Sequence, residues 1–119
     1  VGEQGRPIVT ITERPGPGIV DVALSGRLEV RTVPDVRLTL HRLLADGHEP
    51  LALDLEELEL ADASAVGLLV ELHRRARRAG RPLTVVAATD RTRRLLVRAR
   101  LHGMLPLAPP RPGPAAATS

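Results

Sequence analysis

The sequence predicts a single α/β domain: a small mixed β-sheet with helices packed on it. Three observations lead there. Apolar runs of strand length alternate with stretches of helical periodicity in the order β-β-α-β-α-β-α, which implies parallel neighbours in the sheet and helices laid against it. A length of 119 residues with 43% apolar composition suits one domain, and such a domain hides roughly two-thirds of its unfolded surface. Cysteine is absent, so the fold rests on that core without disulfides, and thiolate metal sites and cysteine nucleophiles are excluded. Residues 7–108 are assigned to the domain and 109–119 to a disordered Pro/Ala-rich tail.

Each element has its own signal. Residues 8–11, Ile-Val-Thr-Ile, alternate weakly as a short strand, and the Pro/Gly cluster at 15–18 is a turn. Ile19 to Leu24 forms the second strand of a hairpin, and Ser25-Gly26-Arg27 breaks the pattern before Leu28 and Val30. Thr32-Val33-Pro34-Asp35 reads as a helix start with a hydroxyl cap and an early proline. Val36, Leu40, Leu43 and Leu44 then repeat at helical spacing, and Gly47 ends the helix. Residues 51–55, Leu-Ala-Leu-Asp-Leu, make a third strand. Asp62 and Ser64 are both competent caps for the second helix, in which Ala65, Leu68, Leu69, Leu72, Ala76 and Ala79 cluster on one side as the core stripe. Gly80 closes that helix. The near-continuous apolar run 83–87 is a central strand. Thr89 or Asp90 caps a last helix carrying Leu95, Leu96 and Ala99, and Leu105-Pro106-Leu107 closes the domain. No internal repeat is visible.

Composition narrows the function. Phe, Tyr and Trp are all zero, which removes the stacking platform used for single-stranded nucleic acid and flat ligands. All 17 basic residues are arginine, which with the abundant Ala, Leu, Gly and Pro suggests the codon usage of a GC-rich genome. No apolar run approaches the ~18 residues of a membrane span, and no charged-then-apolar leader opens the chain, so a cytoplasmic protein is expected. Residues 1–63 carry 6 Arg against 12 acids, a balance of −6, and residues 64–119 carry 11 Arg against 2 acids, a balance of +9. The arginines at 74, 75, 77, 78 and 81, then 91, 93, 94, 98 and 100, read either as a phosphate-binding surface or as cations at a helix C-terminus, where the macrodipole prefers them. The second reading needs no ligand and is preferred, so nucleic acid is not an expected partner.

Catalysis finds little support. Ser64 lacks the Gly-x-Ser-x-Gly elbow. His73, the nearest histidine, lies nine residues on and about 13 Å along a helix axis, too far to serve as its base. His41, His48, His73 and His102 show no metal spacing, and His41 and His73 are expected to be exposed helix residues. Asp54 and Glu56 share a strand face near solvent and read as a solvated acidic stretch. No Gly-rich phosphate loop is present. No catalytic residue, metal or cofactor is expected.

The segment Asp54 to Gly67 is the most informative. A strand ends, an acidic connection follows, and a helix begins at small residues, presenting unpaired N–H groups and partial positive charge. Asp62 and Ser64 fit there as plain caps, and a phosphate on a nearby serine would also be favoured. Val66, Val70, His73 and Arg77 share a second helix face, roughly 90–150° from the core stripe. Two valines exposed beside the cap would make a docking patch.

The element order, Leu24-Ser25-Gly26-Arg27-Leu28, strand 51–55, Leu60-Ala61-Asp62-Ala63-Ser64-Ala65-Val66-Gly67-Leu68-Leu69, Ala79-Gly80-Arg81-Pro82-Leu83 and Arg93-Arg94-Leu95-Leu96 through Leu101 together resemble a STAS domain of the anti-sigma-factor antagonist type, over about residues 7–108. The resemblance implies a STAS-like fold and a non-catalytic bacterial regulator. Such a regulator binds a serine-kinase anti-sigma factor, frees a sigma factor, and is switched off by phosphorylation at the helix start. The family pattern Asp-Ser-Ser-Gly or Asp-Ser-Thr-Gly stands here as Asp62-Ala63-Ser64-Ala65. Alanine therefore occupies the acceptor position and Ala65 replaces the glycine, while Arg100 replaces a glycine expected near the end of the last helix. Either Ala63 fixes the domain in its unphosphorylated form, the preferred reading, or Ser64 has become the acceptor. The expected partner surface is Asp62, Ala63, Ser64, Val66, Val70, His73 and Arg77. A homodimer stays open, as do a STAS-type module sensing a small molecule or nucleotide and a scaffold subunit of a signalling assembly.

Overall fold

The computed structural model describes residues 8–105, so the expected tail at 109–119 and most of the closing Leu-Pro-Leu lie outside the described residues. Strands β1 (Val9–Gly16), β2 (Ile19–Leu28), β3 (Leu51–Leu60) and β4 (Leu83–Ala88) form one sheet in the order β1-β2-β3-β4, with β1/β2 antiparallel and the other two pairs parallel. Helices α1 (Val33–Ala45), α2 (Ala63–Arg78) and α3 (Asp90–Arg98) alternate with the later strands, and a short 3₁₀ turn spans His102–Met104. The expected α/β order is the observed one, but β4, expected from its apolar run to be central, stands last in the described sheet, paired only with β3, and its run alternates between buried and half-buried positions.

The strands are longer than the sequence suggested. β1 runs through Pro15 to Gly16, leaving only Pro17 and Gly18 as the hairpin tip, with Gly18 at φ +76°. Proline survives in β1 because an edge strand has a side on which no ladder donor is needed. Ser25, Gly26 and Arg27 do not break β2. They pair with β3 in a register shifted between Ala23 and Ser25, where β3 carries an extra residue. Gly26 sits at φ +117°, and a Cβ there would lie 2.1 Å from the Ile8 carbonyl oxygen. Only glycine fits so close an approach. β3 likewise continues from Leu55 to Leu60.

The core holds no aromatic residue and is built from aliphatic side chains such as Val22, Leu24, Leu53, Leu55, Leu68, Leu72, Val85 and Leu96. Ala65, Leu68, Leu69, Leu72 and Ala76 of α2 are buried as predicted, whereas Ala79 is exposed at the C-cap. Met104, the single methionine, is fully buried and pins the 3₁₀ turn. Thr89 caps α3, accepting from the Thr92 N–H at 3.2 Å. The expected hydroxyl cap of α1 is absent: the Thr32 Oγ1 is buried and instead accepts from the Glu29 N–H and donates to the Arg27 carbonyl, both at 2.9 Å. α1 ends at Ala45, ahead of Gly47.

Arg81 departs furthest from expectation. Placed by sequence with the surface arginines, it is 5% exposed and donates to the carbonyls of Leu43, in the last turn of α1, and Glu49, just before β3. A guanidinium tolerates burial when its forked donors are occupied. Here it satisfies a helix-terminal carbonyl that has no partner of its own within the helix.

Candidate functional site

The chain leaves β3 with the Ala61 N–H on the Leu28 carbonyl (2.9 Å), which extends the parallel ladder to the threshold of α2. Asp62 is extended (φ −152°, ψ −179°), and its carboxylate divides its work. Oδ1 accepts from the Ala65 N–H at 3.2 Å, capping α2, and Oδ2 accepts from the Val30 N–H at 2.9 Å. One side chain thus caps the helix and fastens the loop between β2 and α1. Ser64 is not a cap but the second residue of α2, half-buried, and its hydroxyl bonds to no described residue. Ala63, the first helical residue, is exposed. Gly67, one turn on, faces open space.

Beyond the helix start the expected surface changes character. Val66 and Val70 are half-buried, packed against the core rather than exposed, because α2 seats deeply enough to draw in the flanks of its apolar stripe. His73 is also half-buried. A Cβ at Gly103 would lie 3.8 Å from its imidazole, so the histidine abuts the 3₁₀ turn. Burial and then the charge of Arg77 lower the pKa of His73 below its ordinary 6.5. His73 and exposed Arg77 line an open groove with Gly80, Pro82 and Gly103 near the end of α2. The seven residues therefore form an open helix start, a half-buried middle and a distal groove, spread over about 22 Å at ~1.5 Å per residue.

The exposed apolar side chain beside the cap is instead Val30, 61% exposed and held there by Asp62. The sequence signal was slight: one aliphatic residue between Glu29 and Arg31 in a loop.

His41 is not free in solvent either. Its Nε2 lies 2.8 Å from Glu71 Oε2, at ion-pair distance but not aligned as a hydrogen bond. Glu71 also accepts from Arg37 Nε at 3.0 and 3.2 Å, which ties α1 to α2. Burial alone would raise the Glu71 carboxyl, but Arg37 and then His41 outweigh it and hold its pKa below 4.5. Asp54 and Glu56 straddle the β3 irregularity, where the Asp54 carboxylate accepts from the Glu56 N–H at 3.0 Å. Among the described residues no group of three His, Asp or Glu side chains could hold a metal, and no helix is long and apolar enough to cross a membrane.

Comparisons with known proteins bear on this geometry. The family model described as Mlab, STAS domain, matches residues 14–106. The fold superposes on an anti-sigma factor antagonist from Mycobacterium paratuberculosis with a TM-score of 0.71 at 22% identity, covering 93% of this chain and 92% of that one. The Bacillus cell fate determinant SpoIIAA, in its phosphorylated form, gives 0.66 at 16% identity, covering 92% and 97%. The anti-sigma factor antagonist SpoIIAA in its unphosphorylated form gives 0.68 at 16%, covering 92% and 93%. At these identities the structural likeness shows the fold. No curated protein matches the sequence.

Proposed function

The chain belongs to the STAS domain family, and from that premise we propose that it is a non-catalytic regulator of the anti-sigma-factor antagonist type. It binds a serine-kinase-type anti-sigma factor and so releases a sigma factor. The observation that carries this reading is the open start of α2, where Asp62 holds an exposed Ala63 beside exposed Val30. The phosphorylated and unphosphorylated SpoIIAA structures share this fold, so a chain of this shape exists in both states in that relative.

Asp62, Ala63 and Ser64, with Val30, form the centre of the proposed contact, and Val66, Val70, His73 and Arg77 extend it along α2. A phosphate carries about −1.5 to −2 charge, enough to spoil an apolar contact at this point. Ala63 offers no hydroxyl to accept one, so the domain binds without that off-switch. Ser64 is a poor substitute: it is half-buried, and its position is rotated by ~100° around the helix.

The test is incubation of the purified chain and an Ala63→Ser variant with ATP and the cognate kinase, read by intact mass and by co-purification. Wild type is expected to bind and keep its mass. Ala63→Ser should gain about 80 Da, one phosphoryl group, and then lose the partner. A gain of that mass on Ser64 of the wild type overturns the assignment of Ala63, and failure of both forms to bind overturns the regulator reading.

A further inference from the structure

The macrodipole explains the arginines that end α2 but not those that begin α3. Arg75, Arg77 and Arg78 occupy the last turn of α2, where cations are favoured. Arg91, Arg93 and Arg94 fall in the first half of α3, where the same dipole disfavours them. At ~100° per residue, Arg91, Arg94 and Arg98 line one outer ridge of α3. All three are exposed, and Val97 lies beside them at 50% exposure. Their side chains make no ion pair or hydrogen bond with a described residue. Like charges crowded on one helix face repel one another.

Acids lie on the adjoining wall. β3 outruns β4, since their pairing stops at Leu55 and Ala88 while β3 continues to Leu60. The overhang carries Glu56 and Glu57, both exposed and neither ion-paired with a described residue. An open groove of about 510 Å³ separates overhang from helix, with Glu56, Glu57 and Glu59 on one wall and Arg91 and Leu95 on the other.

Two complementary patches side by side are what an isologous contact requires, because a two-fold rotation brings each onto its opposite simultaneously. We infer that a second copy of this chain docks on this groove, the 91–98 ridge of each copy meeting the 56–57 overhang of the other. Nucleic acid fits less well. Glu56, Glu57 and Asp90 beside the ridge repel phosphates, and the chain has no aromatic residue for stacking. An anionic membrane meets the same carboxylates, and the apolar side of α3, with Thr92 and Leu96, is buried in the domain. The surface shares no residue with the proposed partner site and stands independently of that reading.

Sedimentation equilibrium of the full chain tests it. Self-association is expected at about 50 mM salt and should weaken about tenfold or more near 500 mM, where charges separated by more than a few ångströms are screened. Arg94→Glu/Arg98→Glu and Glu56→Arg/Glu57→Arg should each be monomeric with unchanged circular dichroism. Mixed in equal amounts they should form a one-to-one heterodimer, because all four facing patches are then complementary. Mixing Glu56→Arg/Glu57→Arg with Arg74→Glu/Arg78→Glu should not. A wild type that stays monomeric at low salt, a mixture that fails to pair, or equal pairing with the Arg74/Arg78 control overturns the inference. So does a monomeric wild type whose binding to duplex DNA or anionic vesicles is lost in Arg94→Glu/Arg98→Glu.

Discussion

Replacing Asp62 separates its two duties. In Asp62→Ala the Ala65 N–H loses its cap, a loss of about 1 kcal/mol for an N-cap of this kind. The Val30 N–H loses a charged acceptor. Bonds to charged groups contribute about 1.5–3 kcal/mol when shielded, but this one is exposed and water replaces it, so about 0.5–1 kcal/mol is appropriate. The sum, about 1.5–2 kcal/mol, is a sizeable fraction of the 5–15 kcal/mol typical of a domain. Asp62→Asn retains one carbonyl oxygen, which can serve Ala65 or Val30 but not both, and should lose about 1 kcal/mol. Urea unfolding measures both values, with a shifted midpoint and an unchanged slope. Amide exchange supplies the site resolution: Val30 and Ala65 should both lose protection in Asp62→Ala. If Asp62→Ala lies within about 0.5 kcal/mol of wild type, the ordinary range for a bland surface change, or if the Val30 amide is unaffected, the double role is refuted.

Other outcomes follow from single residues. Arg81→Met removes the donors from the part-buried contacts with the Leu43 and Glu49 carbonyls, at about 1 kcal/mol for each lost bond, so a urea midpoint below wild type is expected. Arg100→Gly should stabilise by about 1 kcal/mol, a melting rise of roughly 4 °C, because Arg100 sits at φ +61° where glycine is at ease. For His73 the folded pKa lies below the ordinary 6.5, so as pH falls through that value the unfolded chain takes up the proton first and stability drops. Urea midpoints between about pH 7.5 and 5.5 should therefore fall in the wild type and flatten in His73→Gln.

The element order was readable because strand and helix periods alternate cleanly, and the stripe of Leu68, Leu69 and Leu72 located the buried face of α2. Asp62 was readable as a cap because small polar residues at a helix start have few other uses. Its second bond, to Val30, was not, since the two residues lie 32 apart in sequence. Arg81 failed for the same reason: its acceptors lie 32 and 38 residues away, and by composition it looks like any other arginine in the run. Strand lengths were misjudged where register irregularities and Gly26 carried pairing across an apparent break. Val66 and Val70 were misjudged because a helical projection gives direction but not how deeply the helix is set.

Beyond its buried apolar face, α1 has two polar ties of different chemistry. Along its flank, Arg37 and His41 meet the carboxylate of Glu71, a contact that weakens once acid neutralises that group. At its far end the anchor is the Arg81 guanidinium on the Leu43 carbonyl, a contact that contains no carboxylate for acid to neutralise. Acid therefore loosens one of these polar ties and spares the other, while Val33, Val36, Leu40 and Leu44 keep the helix seated on the core.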